Sequence, residues 1–280
     1  MPVAASPRGH RRPAPADHVS APLRLILATD SHRPVAAAAA PPCFPHLLPS
    51  ARRRPPTAAR RCPIATVARS VSTTTPQALQ FVEAYVAEDL VLRTARSLAT
   101  EVGVDAVTPG VGATLRFLAA AGGARAVVEI GTGTGVSGLW LLRGMRPDGI
   151  LTTIDVEAEH QRIARRIFQE AGFPSGRTRI ISGRALDVLP RLADGAYDLI
   201  FVDSEVAEYS ACVDAALRLL RPGGMLALHG ALASGRIGDP AARDVETVTV
   251  REVVKAIRES EEWTPALLPT GEGLLVAVKR

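Results

Sequence analysis

Val127-Val128-Glu129-Ile130-Gly131-Thr132-Gly133-Thr134-Gly135-Val136-Ser137 decides the fold. A β-branched run ends in three glycines at alternate positions, and apolar residues at helical spacing follow. The pattern reads as a strand, a tight loop and a helix N-terminus, the crevice position where doubly wound sheets bind ligands. Gly131, Gly133 and Gly135 let the backbone approach a ligand where a Cβ would collide. The helix start offers free N–H groups, and Ser137 offers a hydroxyl.

Working outward, short β-branched runs at 126–130, 151–154, 179–181, 198–202 and 225–228 alternate with helical stretches near 136–145, 157–171, 184–192 and 206–220. Such alternation implies right-handed crossovers and a parallel sheet covered on both faces. After a helix near 243–259, runs at 266–268 and 274–278 flank Pro269-Thr270-Gly271-Glu272-Gly273, an antiparallel hairpin. The expected class is α/β: a doubly wound, mostly parallel seven-stranded sheet closed by a C-terminal antiparallel hairpin. Upstream, Thr73-Thr74-Thr75 before Pro76 starts a helix whose apolar spacing runs to about Leu98, and Pro109 opens another.

The chain has 280 residues, 47% hydrophobic and 22% charged, enough apolar material for a core. It has no uncharged apolar run long enough to span a bilayer. Cys43, Cys62 and Cys212 lie at no metal-ligand spacing, so neither a disulfide scaffold nor a zinc knuckle is expected. The net charge of +5 is uneven: residues 1–70 hold eleven arginines, two acids and thirteen of the 22 prolines, which leaves −4 on residues 71–280. Residues 1–70 therefore read as a disordered Arg/Pro/Ala-rich extension and 71–280 as the folded domain. Nucleic-acid or membrane attraction and an organelle transit peptide compete with a dispensable extension as readings of that segment, and the last is favoured.

The glycine loop alone is a weak signal. A dinucleotide frame fits only when shifted to Gly133, Gly135 and Gly138; from Gly131 the fifth residue on is Val136. Glu129 opposes a pyrophosphate by like charge and suits a cationic ligand, unless it merely forms a salt bridge or caps the loop. Asp155 ends the second strand, where its two oxygens can accept both hydroxyls of a ribose. Asp203 ends the fourth strand in the same crevice; either acid could instead cap a helix.

From about Glu88 to Lys279 the chain resembles class I S-adenosylmethionine-dependent methyltransferases, specifically the catechol and caffeoyl-CoA type of O-methyltransferase and its actinobacterial members. The likeness is carried by Val107-Thr108-Pro109 with Gly112, Glu129-Ile130-Gly131-Thr132, Ile154-Asp155, Gly183-Arg184-Ala185, Phe201-Val202-Asp203, Gly235 with Asp239-Pro240, and Leu268-Pro269-Thr270-Gly271-Glu272-Gly273. It implies that Val107 touches the methionine end of the cofactor, with Glu129, Gly131, Thr132 and Ser137 at its amino and carboxylate groups. It further places Asp155 on the ribose, Val156 and Ala185 beside the adenine, and Asp203 near the sulfonium and the acceptor. It also implies a small hydroxylated acceptor and a homodimer; with no credible export signal, the cytoplasm is the expected compartment.

The chain departs from that family at the metal. The run after Asp203 is Ser204-Glu205-Val206 where the family carries a catalytic lysine; the only lysines are Lys255 and Lys279. The family's Asp-Asn pair after the fifth strand reads His229-Gly230, and its Arg-x-Phe-Asn reads Arg251-Glu252-Val253-Val254. One of three expected ligands survives, too few oxygens for a hard cation, so no metal ligands are assigned and a divalent cation is doubtful. His229, at a strand's carboxyl edge, then stands as the base beside Asp203, against a plain core or capping role. A transition-metal site of His229, Asp203 and Glu205 is the softer alternative. Other readings are a catalytically silent S-adenosylmethionine-binding protein, an NAD-dependent oxidoreductase (which lacks any Tyr-x-x-x-Lys) and a nucleic-acid methyltransferase resting on the N-terminal segment alone. Trp140, Leu141 and Tyr209 read as core, and Arg236 as solvated.

Overall fold

The computed structural model describes residues 75–280. The expectations for residues 1–70, Cys43 and Cys62 among them, lie outside the described residues. Three helices, α1 (Pro76–Ala84), α2 (Leu90–Glu101) and α3 (Pro109–Ala121), precede the first strand, β1 (Ala126–Ile130). Then follow α4 (Val136–Gly144), β2 (Ile150–Asp155), α5 (Ala158–Glu170), β3 (Thr178–Ser182), α6 (Ala185–Val188), β4 (Tyr197–Val202), α7 (Tyr209–Leu219) and β5 (Leu220–His229). The chain closes with α8 (Val245–Glu259), β6 (Trp263–Leu268) and β7 (Leu274–Lys279).

The seven strands lie in the order β3-β2-β1-β4-β5-β7-β6. The first five are parallel, while β7 inserts antiparallel between β5 and β6. This is the α/β architecture the alternation predicted, and the one the class I methyltransferase resemblance implied. Connections reverse direction at β1, which has β2 on one side and β4 on the other, so a crevice opens beyond their carboxyl ends.

Period-two alternation divides the core. Val128, Ile130, Ile200 and Val202 face α7 and α8, while Val127, Leu199 and Phe201 face α2 to α5. Glu129 shares the second face and is 0% exposed. Nothing in an apolar layer calls for a carboxylate there, which makes it the first marker of a site.

The N-terminal helix differs from its expectation: two helices occupy the stretch read as one. The Asp89 side chain accepts the Leu92 N–H at 3.0 Å, a cap that starts α2 afresh. No residue of α1 is buried, so no apolar seam keeps the two in one register. Polar bonds anchor α1 instead. Glu83 accepts from the Gly110 N–H at 2.7 Å, the Gly271 N–H at 2.9 Å and the Thr270 hydroxyl at 3.1 Å. One carboxylate thus ties α1 to the start of α3 and to the turn between β6 and β7.

Burial pushes the Glu83 carboxyl up, but these donors and the Thr108 hydroxyl outweigh it and hold its pKa below 4.5. The tie is therefore complete above the unfolded pKa and is lost as pH falls through the lower folded one. Glu83→Ala leaves three donors without an acceptor and is expected to destabilise the domain by about 1–3 kcal/mol. Thermal melts of the variant and its parent should converge as pH falls below 4.5 and through the lowered folded pKa; melts that stay parallel would refute the tie.

Candidate active site

The site gathers at the strand tips because four strands, β1, β2, β4 and β5, carry an acid or an acid-bound base at or beside their carboxyl ends. Glu129 leaves β1 pointing under α4. The Thr153 hydroxyl donates to Glu129 Oε2 at 2.6 Å and shares a 2.7 Å bond with the Thr132 hydroxyl, while Oε1 is buried without a partner. Burial pushes this carboxyl up to about 8; the Thr153 and Ser137 hydroxyls oppose the shift, and the charges of Asp203 and Asp155 add to it. Among the described residues no basic side chain pairs with this buried carboxyl, and its Oε1 stays unmatched.

Above it the glycine loop is obligatory. Gly131 has φ 95° and a Cβ there would stand 2.1 Å from the Asp203 carbonyl oxygen, so any side chain would force β1 and β4 apart. Gly138, the last glycine of the shifted dinucleotide frame, has a different duty. A Cβ on it would meet Phe168 at 2.8 Å and Glu129 Oε2 at 2.9 Å, so it lets α4 close over the buried acid.

Two adjoining hollows flank the loop. One, of about 180 Å³, is lined by Val107, Gly131, Thr132, Gly133, Ser137, Asp155 and Asp203. The other, of about 490 Å³, shares Gly131, Asp155 and Asp203 and adds Val156 and Ala185. Every cofactor residue expected from sequence except Glu129 lines one of the two, and Glu129 lies beneath them. Asp155 is already engaged: Oδ2 accepts the Gly133 N–H and Oδ1 the Glu157 N–H, both at 2.9 Å. These bonds set the carboxylate's plane and shape the loop, and they use one lone pair of each oxygen.

His229 ends β5 beside Asp203, with Nδ1 2.9 Å from Asp203 Oδ1. A carboxylate only accepts, so Nδ1 carries the proton and Nε2 is left as a lone-pair nitrogen, buried and without a partner. Burial lowers the imidazole pKa, but the bond and charge of Asp203 and the charge of Glu272 outweigh it and raise it above 6.5. The Tyr209 hydroxyl donates to the His229 carbonyl at 3.0 Å and fixes the strand end.

The softer metal alternative is corrected: among the described residues no three His, Cys, Asp or Glu side chains form a cluster able to hold an ion, and Glu205 does not join the pair. Trp140, Leu141 and Tyr209 are core, as read. Arg236 is not simply solvated; it pairs with Asp244 at 3.4 Å and Glu246 at 3.6 Å. Thr153 was missed, although a threonine in the buried middle of a parallel strand is the signal that a polar partner lies opposite.

The family model described as O-methyltransferase matches residues 78–280. A Mycobacterium marinum protein assigned by name to the O-methyltransferases is 55% identical over 197 residues, 70% of this chain and 88% of that protein. A crystal structure from Corynebacterium glutamicum is 38% identical with a TM-score of 0.67, covering 71% of this chain and 94% of its own. The O-methyltransferase TomG from Streptomyces achromogenes, solved in complex with SAM, is 29% identical with a TM-score of 0.65 over 72% of this chain and 94% of its own. A strand order that ends in an inserted antiparallel hairpin, a buried acid beneath a glycine cradle and these matches converge: the chain belongs to the O-methyltransferase family.

Proposed function

We propose that the chain transfers a methyl group from S-adenosylmethionine to a hydroxyl of a small molecule, with His229 as general base and no divalent cation. The single observation that supports the reading is the His229–Asp203 bond at 2.9 Å, which engages Nδ1 and leaves Nε2 without a partner among the described residues.

The residues fit the donor. Glu129 offers an unmatched oxygen to a cationic amino group, the Gly131–Gly135 loop admits close backbone approach, and Asp155 presents free lone pairs to a ribose. When bound, the donor supplies an electrophilic methyl on a positively charged sulfur. The protein's part is to hold the acceptor oxygen in line, worth up to about 7–11 kcal/mol of the barrier, and to take its proton at Nε2. Asp203 then stabilises the imidazolium that forms. A lone carboxylate already bonded to an imidazole is a poor seat for Mg²⁺ or Ca²⁺, which want several oxygens.

The test is methyl transfer to a panel of phenols, catechols and aliphatic alcohols, read by mass spectrometry with and without EDTA. Turnover unchanged by EDTA is expected; loss with recovery on adding Mg²⁺ would overturn the metal-free mechanism. Donor binding without transfer to any acceptor would favour a silent binding protein. The same reading takes the enzyme to be a cytoplasmic homodimer, which light scattering of the purified chain tests for assembly.

A further inference from the structure

The loop that leaves His229 follows an uncommon path, and one side chain of α8 bonds four of its carbonyls. Ala233 and Ser234 have φ of 48° and 53° and Gly235 has 81°, so three successive residues are left-handed. Residues with a Cβ resist that conformation singly, and two in a row persist only where surrounding contacts over-determine them. On one side the contacts come from the hairpin turn: the Ala231 and Leu232 amides donate to the Gly273 and Glu272 carbonyls at 3.1 and 3.0 Å.

On the other side they come from Arg251 of α8. Its Nε donates to the Ile237 carbonyl at 3.1 Å, Nη1 to Ala242 at 3.3 Å, and Nη2 to Asp239 at 3.0 Å and Arg236 at 3.4 Å. Four carbonyls of one loop converge on one guanidinium, which has no carboxylate partner among the described residues. A planar fork with five fixed donors suits such a task; a lysine ammonium reaches fewer of these oxygens.

We propose that Arg251 is a positioning residue for the acceptor side, holding the loop after His229 in its left-handed path and thereby setting acceptor recognition while leaving the donor pocket untouched. The proposal rests on the transferase reading above. Its separability follows from topology: the loop joins β5 to α8 and leans on the β6–β7 turn, whereas the hollows around the glycine loop are walled by residues following β1, β2, β3 and β4 and by the segment before α3.

Arg251→Met and Arg251→Lys in the full chain test it. Amide hydrogen exchange should rise across 231–242 in Arg251→Met while the 131–137 amides keep their protection, and S-adenosylhomocysteine affinity by calorimetry should be unchanged. With catechol as acceptor, or the first panel member turned over, KM for the acceptor should rise about tenfold, the loss expected when one anchoring interaction worth about 1.4 kcal/mol goes, with kcat little changed. Arg251→Lys should recover part of that rise.

Equal loosening of 131–137, a matching loss of S-adenosylhomocysteine affinity, or a fall in kcat at unchanged KM would overturn the proposal. If Arg251→Met does not fold, the lysine variant decides through the same exchange pattern. A parent enzyme that methylates nothing refutes the transferase reading, and the exchange map still decides whether Arg251 orders this loop alone.

Discussion

His229→Gln is expected to lower kcat by about 10²- to 10⁴-fold, the range a positioned general base contributes, while leaving S-adenosylhomocysteine affinity unchanged. The imidazole does not line the hollows around the glycine loop, so the donor should not register its loss. Asp203→Asn should fall comparably for a different reason. An amide can donate to Nδ1, which would move the ring proton to Nε2, and the base would then face the acceptor with its lone pair turned away.

The pH profile carries the sign. Only neutral imidazole accepts a proton, so kcat/KM should climb with pH through a midpoint above the ordinary 6.5, because Asp203 and Glu272 favour the charged ring more than burial opposes it. The same raised pKa gives the fold a contribution that is complete below 6.5 and disappears as pH rises through the folded value. Glu272→Gln removes one of those charges and should slide the midpoint downward. A rate profile in His229→Gln that keeps the parent's midpoint would dismiss His229 as the base.

Much of this arrangement was legible from residue order. The five parallel strands, the hairpin and the glycine cradle follow from β-branched runs and turn residues, because hydrophobic period and φ preference act locally. The three acids were found because each lies at or beside the carboxyl end of a strand, and strand ends in such sheets share a crevice. What escaped was long-range polar bonding. Glu83 bonds residues 27 and 188 positions away, and no local pattern distinguishes it from a solvated helix glutamate. The break between α1 and α2 escaped because the apolar spacing continues across it; a cap at Asp89 and an unburied α1 decide the matter, and burial is not written in spacing. The free Nε2 of His229 was equally unreadable, since it depends on which nitrogen Asp203 engages.

Donor affinity is expected to rise about tenfold per pH unit until the Glu129 carboxyl ionises on its own, and to level off above about 8. Below that pH the buried carboxyl is protonated in dialysed protein, and a cation beside it must displace the proton. Calorimetry of S-adenosylmethionine in two buffers of different ionisation enthalpy should therefore register release of close to one proton at neutral pH. The folded chain holds one more proton than the unfolded chain between 4.5 and about 8, so the dialysed protein should lose about 1.4 kcal/mol of stability per unit as pH rises through that window. Glu129→Gln keeps the shape and the Thr153 bond while removing both slopes. It should melt higher than the parent in mild alkali, yet bind the donor about 10²-fold more weakly there, as befits an unpaired cation in a buried site. Binding that is flat with pH, proton-neutral and indifferent to Glu129→Gln would remove the buried acid from donor recognition. Of the acids at the strand tips, Asp155 and Asp203 would then remain to attract a positive charge, and both already serve other partners.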